Sequence, residues 1–486
     1  MGRKTFSKGS YFLIIFCLFQ FISCATNPVT GKRELNLLSE SQEIQLGKEA
    51  DPSIVAQYGI YDDPKIAKFV DEMGQKMAKI SHRPHLKFTF RIVDSPTINA
   101  FALPGGYVYF TRGILGYMNS EAELAGVLGH EIGHVTARHG AKAYTRGQLA
   151  QIGLGVGMVV SKTFRNYSDF AQLGVGLLFM RFSRDQERQS DKLGVEYSTA
   201  IGYDAANMSN FFGTLADLRK QGGGGGGGGL DSWFSTHPDP QDREAKTLAL
   251  AREAQEKSSS SVFKTAREPY LRLIDGIVFG EDPRQGFVEN GTFYHPTLDF
   301  QFPLPTDWQL VNTPQAVQMG NKKQTAGIQF TLAKEASARQ AADKFVADAK
   351  ATVKSSDYRR LNGFTTEIRE VTIAGQQGDL SVLSYFIEKE QNVFVFHGFT
   401  STADYGKHKR DFRYTMENFE RLKNQAAKKV KPTRIKIVRV AKSSTLKDFL
   451  ARYPTKKATP EELAIINGME LTDRVRPGDR VKVLSQ

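Results

Sequence analysis

Apolar residues recur with a helical period in two stretches of the first third of the chain. Leu124, Val127, Leu128, Ile132 and Val135 share one face, and Ser120 with Glu123 forms a capping box ahead of them. Gly140, after Arg138 and His139, supplies the stop, so a buried helix is predicted from Ser120 to about there. Asp63-Pro64 opens another helix with Ile66, Phe69, Val70, Met73, Met77 and Ile80 on one side. Leu86, Phe88, Phe90 and Ile92 alternate as a strand, and Gly105-Gly106 makes a tight turn into a second strand over residues 107–111. A charged helix over residues 184–191 places Glu187 and Asp191 one turn apart.

Further along, residues 149–160 and 170–180 are Gly-containing apolar runs, too short to span a bilayer, which read as buried helices or a flap. The glycines at 222–229 mark a loop, either a neutral insertion or a tether for the Thr236-His237-Pro238 segment that follows. Beyond a Ser-rich linker, Pro303, Pro305, Trp308, a helix over 336–353 and strands over 380–387 and 392–399 predict an α+β domain. This part resembles the PsbP-like sandwich and carries no catalytic constellation; His295, His397 and His408 read as structural or exposed. In the last fifty residues, Thr445-Leu446, Thr459-Pro460, Asn467-Gly468 and Pro477-Gly478-Asp479 punctuate a β-α-α-β outline. That outline resembles a LysM module and implies contact with peptidoglycan, although Ser443-Ser444 replaces the usual Gly-Asp before Thr445.

The fold class is therefore α+β: a mainly helical domain with a small sheet, an α+β domain, and a small βααβ module. The expected boundaries are a signal peptide at 1–23, a tether at 24–34, the mainly helical domain at 35–256, a linker at 257–265, the middle domain at 266–425, a basic linker at 426–433 and the module at 434–486.

Composition sets the location. The chain has 486 residues, and 65 basic against 52 acidic residues give a net charge of +13, which suits an anionic envelope surface. The basic residues are spread along the chain, apart from residues 428–439, which read as a linker with a basic strand, so the charge does not indicate a nucleic-acid partner. Arg3, Lys4 and Lys8 precede an apolar stretch of signal-peptide length over 11–22. It ends Phe21-Ile22-Ser23-Cys24, which resembles a bacterial lipobox with Phe in place of the usual Leu. That resemblance implies a lipid on Cys24 and, with Ala25 next, a periplasm-facing lipoprotein at the outer membrane. The other cysteine, Cys17, lies inside the apolar stretch, so the mature chain has no internal disulfide.

The chemistry is concentrated in His130-Glu131-Ile132-Gly133-His134. Residues four apart leave one helix face together, so His130 and His134 can grip one metal ion while Glu131 sits beside it. A third ligand is needed. Ala137 and Gly140 exclude the metzincin extension, and the downstream acidic helix offers Glu187, with Asp191 able to accept the free imidazole N–H of His130 or His134.

The spaced motifs His130-Glu131-x-x-His134, Glu187-x-x-x-Asp191, the segment from Asn99 to Gly106, and Thr236-His237-Pro238 together resemble the CAAX prenyl endopeptidase and HtpX-like gluzincins. The similarity is to their soluble periplasmic branch, which includes the beta-barrel assembly-enhancing protease, and covers about half of the chain. It implies one Zn²⁺ per chain held by His130, His134 and Glu187, with Glu131 as general base. It also implies that His237 reaches the metal or the oxyanion and that Arg243 faces the transition state. For His237 the alternative is a plain turn residue.

Gly106, Tyr107, Val108 and Tyr109 are the expected substrate-binding residues, because a free strand edge there would pair with an extended peptide. Two function classes follow. One is a zinc endopeptidase acting on misfolded or unassembled envelope proteins; the other is a lipid-anchored binding protein or chaperone with a vestigial metal site.

Overall fold

The computed structural model describes residues 24–153, 181–222, 231–237, 242–375 and 378–486. The leader, most of the two apolar runs, the glycines from 223 onward and Pro238 lie outside the described residues. The fold is α+β and divides into two compact units, one formed by the chain up to Glu281 together with Thr433–Gln486, the other by Asp282–Pro432.

In the first unit the helix Glu121–Thr136 is buried along nearly its whole length. Ser120 caps it by accepting from the Glu123 N–H at 3.1 Å. The reciprocal half of the expected capping box is shifted by one residue, since the Glu123 carboxylate accepts from the Asn119 N–H instead, at 2.8 Å. The helix also ends earlier than Gly140. Arg138 takes a left-handed φ of 59°, and a new helix, His139–Gly153, starts directly after it. The cause is tertiary: Arg138 is pulled to Glu43 (2.5 Å) and to the Leu38 carbonyl (2.7 Å). Buried Arg83 meanwhile donates to the Val135 carbonyl at 3.0 Å, satisfying the helix end.

Glycine lets a second helix, Arg184–Ala200, approach this one closely. A Cβ on Gly129 would meet the Gly194 backbone at 3.0 Å, and one on Gly194 would meet the Gly126 carbonyl at 2.8 Å. This backbone contact brings Glu187 and Asp191 over the two histidines. The helix Pro64–Ile80, capped by Asp63, buries Ile66, Val70, Met73 and Met77 of the face anticipated from its period, whereas Ile80 at its end is exposed.

A three-stranded sheet flanks the metal helix in the order Thr89–Val93, Tyr107–Thr111, Ala100–Leu103. Tyr107–Thr111 is thus the central strand, parallel to one neighbour and antiparallel to the other. The expectation of a free edge at Gly106, Tyr107, Val108 and Tyr109 is corrected: both edges are paired, and Val108 and Tyr109 are fully buried. Among the described residues the edge strand on this side is Ala100–Leu103.

The C-terminal segment has the β-α-α-β order. Its strands Arg434–Arg439 and Arg480–Ser485 pair antiparallel, and its helices are Leu446–Leu450 and Pro460–Ile466. It is not a separate body. Leu446, Phe449, Ile466 and Val483 share one apolar core with Ile114, Leu115 and the metal helix. Lys482 is wholly buried, and its Nζ donates to the carbonyls of Gly116 (3.0 Å), Met118 (2.6 Å) and Ile466 (2.8 Å). Tyr117 donates to Glu462 at 2.9 Å. Residues 266–281, expected in the middle domain, also join the first unit, because Tyr270, Leu271 and Ile274 bury their side chains there.

The second unit holds a seven-stranded antiparallel sheet. Val393 and Val395 pack on the helix Ala338–Asp348, whereas Phe394 and Phe396 pack with Phe412 and Met416 of the helix Tyr405–Glu417. Alternate residues point to opposite faces, so the two helices cover the two sides of the sheet. His295 and His397 serve this unit: His295 Nδ1 accepts from the Leu298 N–H at 3.2 Å, and His397 Nδ1 lies 2.8 Å from Ser384 Oγ.

Candidate metal centre

His130, His134, Glu187 and His237 each turn one potential ligand atom into a common point, and these atoms all lie within 4.8 Å of one another. His130 Nε2 and His134 Nε2 are 3.0 Å apart, and the Glu187 carboxylate lies 3.7 Å from the first and 3.5 Å from the second. Metal–ligand bonds of about 2.0–2.1 Å in a tetrahedron require ligand atoms roughly 3.3 Å apart. The donor set therefore has the size and the chemistry for zinc.

The outer nitrogens settle the tautomers. His130 Nδ1 is 2.9 Å from Asp191 Oδ1, so its N–H is spent there and the Nε2 lone pair faces the centre. His139 Nε2 donates to Gln189 Oε1 at 2.9 Å, which leaves its Nδ1 to accept from His134 Nδ1–H at 3.1 Å. Burial holds the His139 ring at about 3, far below the ordinary histidine value, so it stays neutral and can accept. His134 is also kept neutral by burial and by its histidine neighbours. Imidazoles with inward lone pairs are what a metal ion requires.

Arg243 anchors the carboxylates. Its Nε and Nη2 grip Asp191 at 2.9 and 2.5 Å, and its Nη1 lies 3.2 Å from Glu187 Oε2. The guanidinium rests 4.0 Å over the Phe212 ring. Burial would push the Asp191 carboxyl up, but the Arg243 charge and the His130 hydrogen bond outweigh it and hold the group at about 2. Arg243 is buried and holds Asp191 and Glu187 in place.

Glu131 is fully buried, and neither carboxylate oxygen has a hydrogen-bond partner. Burial raises its pKa. His237 Nε2 lies 3.6 Å from Glu131 Oε1. His237 follows directly after the short helix Asp231–Thr236 and is not an exposed turn residue: it is fully buried, its Nδ1 is 3.2 Å from Glu187 Oε1, and its Nε2 is 3.3 Å from the Ala100 carbonyl. Trp233 and Phe182 ring the centre at 4.5 Å from His237 and 4.0 Å from His134.

Residues 64–250 match the model of peptidase family M48. The mitochondrial metalloendopeptidase OMA1 of Schizosaccharomyces pombe is 30% identical over 239 residues, which are 48% of this chain and 68% of that protein. The chain belongs to peptidase family M48. The beta-barrel assembly-enhancing protease of Escherichia coli (strain K12) is 27% identical over 257 residues, 51% of each chain. The chain thus spans about half the length of these bacterial M48 relatives. The solution structure of cyanobacterial PsbP from Synechocystis covers 27% of this chain and 91% of its own at 14% identity; its TM-score of 0.23 is too low to carry an argument.

Among the M48 site residues anticipated from sequence, His130, Glu131, His134, Glu187, Asp191, His237 and Arg243 are brought together. Gly106, Tyr107, Val108 and Tyr109 are not. His139, Gln189, Phe182 and Trp233 escaped notice. His139 had a signal, since it lies five residues after His134, but five residues on an unbroken helix would point it elsewhere; only the Arg138 turn returns it.

Proposed function

We propose that the chain is a zinc-dependent endopeptidase acting on unfolded or misassembled polypeptides of a bacterial cell envelope. The observation that carries this reading is Glu131: a buried carboxylate with no hydrogen bond, beside four converging potential ligand atoms, suits a general base. Bound zinc supplies Lewis-acid chemistry, polarising a carbonyl and acidifying water. Glu131 takes the proton of the attacking water on its carboxylate and returns it to the leaving amine. Asp191 and His139 hold the imidazole rings, and Arg243 holds Asp191 and Glu187.

An extended substrate is read here as pairing with the edge strand Ala100–Leu103, which borders the site through the Ala100 carbonyl. Backbone pairing selects flexible segments over particular side chains, in keeping with unfolded substrates. Export behind a signal peptide, a lipid on Cys24, a place at the outer membrane and contact with peptidoglycan complete the reading. Among the described residues no helix is long and apolar enough to cross a membrane.

The test is Glu131→Gln in the full chain. The amide keeps the shape and removes the base, so the variant should retain one zinc by metal analysis and lose casein cleavage. Casein cleavage by the variant at the parent rate would remove Glu131 as the base, and failure of the parent chain itself to cleave would leave the non-proteolytic binding protein as the better account.

A further inference from the structure

A second recess lies in the first unit, away from the paired histidines. It is a polar cleft of about 770 Å³ between the helix Asn207–Lys220, the start of the metal helix at Ser120, and residues 467–473 of the C-terminal segment. Its volume falls in the range of ligand-binding clefts.

The lining is charge-inverted relative to the chain. Carboxylates of Glu123, Asp217, Glu244, Glu461, Glu470 and Asp473 face only two cations, Lys220 and Arg267, and Lys220 is already paired with Asp217 at 2.8 Å. The chain as a whole carries +13. Glu123 is buried, whereas Glu244, Glu461, Glu470 and Asp473 are exposed at the rim.

A separate observation comes from Asn119. It is 5% exposed, it lines the cleft, and its side-chain amide oxygen is buried with no hydrogen-bond partner. An unmet acceptor of this kind is destabilising unless a donor reaches it. Acceptors of both kinds, charged and neutral, therefore dominate the recess, and the matching ligand is rich in donors and positive. The ammonium of lysine offers three N–H donors and the guanidinium of arginine five. The carboxylates are spread along the cleft rather than gathered around one point, which suits several side chains better than a single metal ion.

We infer that this cleft docks a lysine- or arginine-bearing stretch of an extended polypeptide. As a feature of substrate choice the inference rests on the peptidase reading; as a binding site it does not. Glu244 adjoins Arg243 in sequence, so the cleft lies one residue along the chain from a group that orders the metal centre.

The probe is tetralysine, titrated calorimetrically into the full chain carrying Glu131→Gln at low ionic strength. Stoichiometric binding that weakens with added salt is expected. Glu470→Gln with Asp473→Asn removes two exposed charges, and the amide oxygen that Asp473→Asn leaves in place still accepts from the backbone N–H of residue 470, so the fold is spared. Affinity should fall about tenfold in this double variant, as two charge contacts of under about 1 kcal/mol each would give. Absence of tetralysine binding, or equal affinity in the double variant, overturns the inference. Binding of chitotetraose without tetralysine would assign the cleft to a glycan and overturn it as well. Tetralysine binding together with a parent chain, Glu131 intact, that fails to cut casein would sink the peptidase reading and leave the docking site standing.

Discussion

His130 Nε2 and His134 Nε2 lie 3.0 Å apart, and each ring has its outer nitrogen already committed, to Asp191 and to His139. Two lone pairs held this close repel each other unless a cation stands between them. The surrounding fold maintains the arrangement, so the protein carries a preorganised site whose strain is relieved by metal.

Asp191 orients His130 from outside the centre and also carries the Arg243 guanidinium. Asp191→Ala should lower zinc affinity by roughly 10- to 100-fold, the usual loss when an orienting carboxylate is removed. Asp191→Asn keeps an acceptor for the imidazole N–H and should lose less. Competition against a chromophoric zinc chelator measures both, and unchanged retention in Asp191→Ala would remove its assigned role.

His237 Nδ1 lies 3.2 Å from Glu187 Oε1, and with zinc on His130, His134 and Glu187 it would compete with water and substrate for the remaining position. His237→Ala should leave the zinc content at one per chain and raise casein cleavage or self-digestion. Activity lost with zinc fully retained would instead place His237 at the oxyanion.

Lys482 ties the C-terminal strand to the loop ahead of the metal helix. Lys482→Met leaves the carbonyls of Gly116, Met118 and Ile466 without that donor, at a cost of at least about 3 kcal/mol. Urea unfolding followed by Trp233 fluorescence, in a chain with Trp308→Phe, should show a lower midpoint for the first unit. Deleting residues 433–486 should abolish its cooperative transition, whereas an unaffected transition would make the segment an independent module after all.

Acid should weaken the second unit through His295 and His397, each held at about 4 by burial. Both are neutral in the fold, while the unfolded chain takes up a proton near its ordinary value of about 6.5. The unfolded state therefore binds more protons between those values, and stability falls as pH drops from about 6.5 to about 4, then levels off. Each group contributes on the order of 2–3 kcal/mol, allowing for partial exposure. Unfolding followed by Trp308 in a Trp233→Phe chain should show this slope, and His397→Phe should remove about half of it.

Much of the centre was legible in the residues themselves. The four-residue spacing of His130 and His134, the Ser120 and Asp63 caps, and the one-turn spacing of Glu187 and Asp191 are local regularities that an α-helix converts directly into direction. What came only from the tertiary structure involves partners far apart in the chain. The strand at Tyr107 has the alternation of any strand, and nothing local says that both its edges are taken. Arg138 ends its helix because Glu43 and Leu38 draw it away. Gly129 and Gly194 matter only when their helices meet, and Lys482 looks like one more surface lysine until its strand is laid against the loop at Gly116 and Met118. Periodicity reports which face of an element is apolar; which distant face covers it is decided by packing.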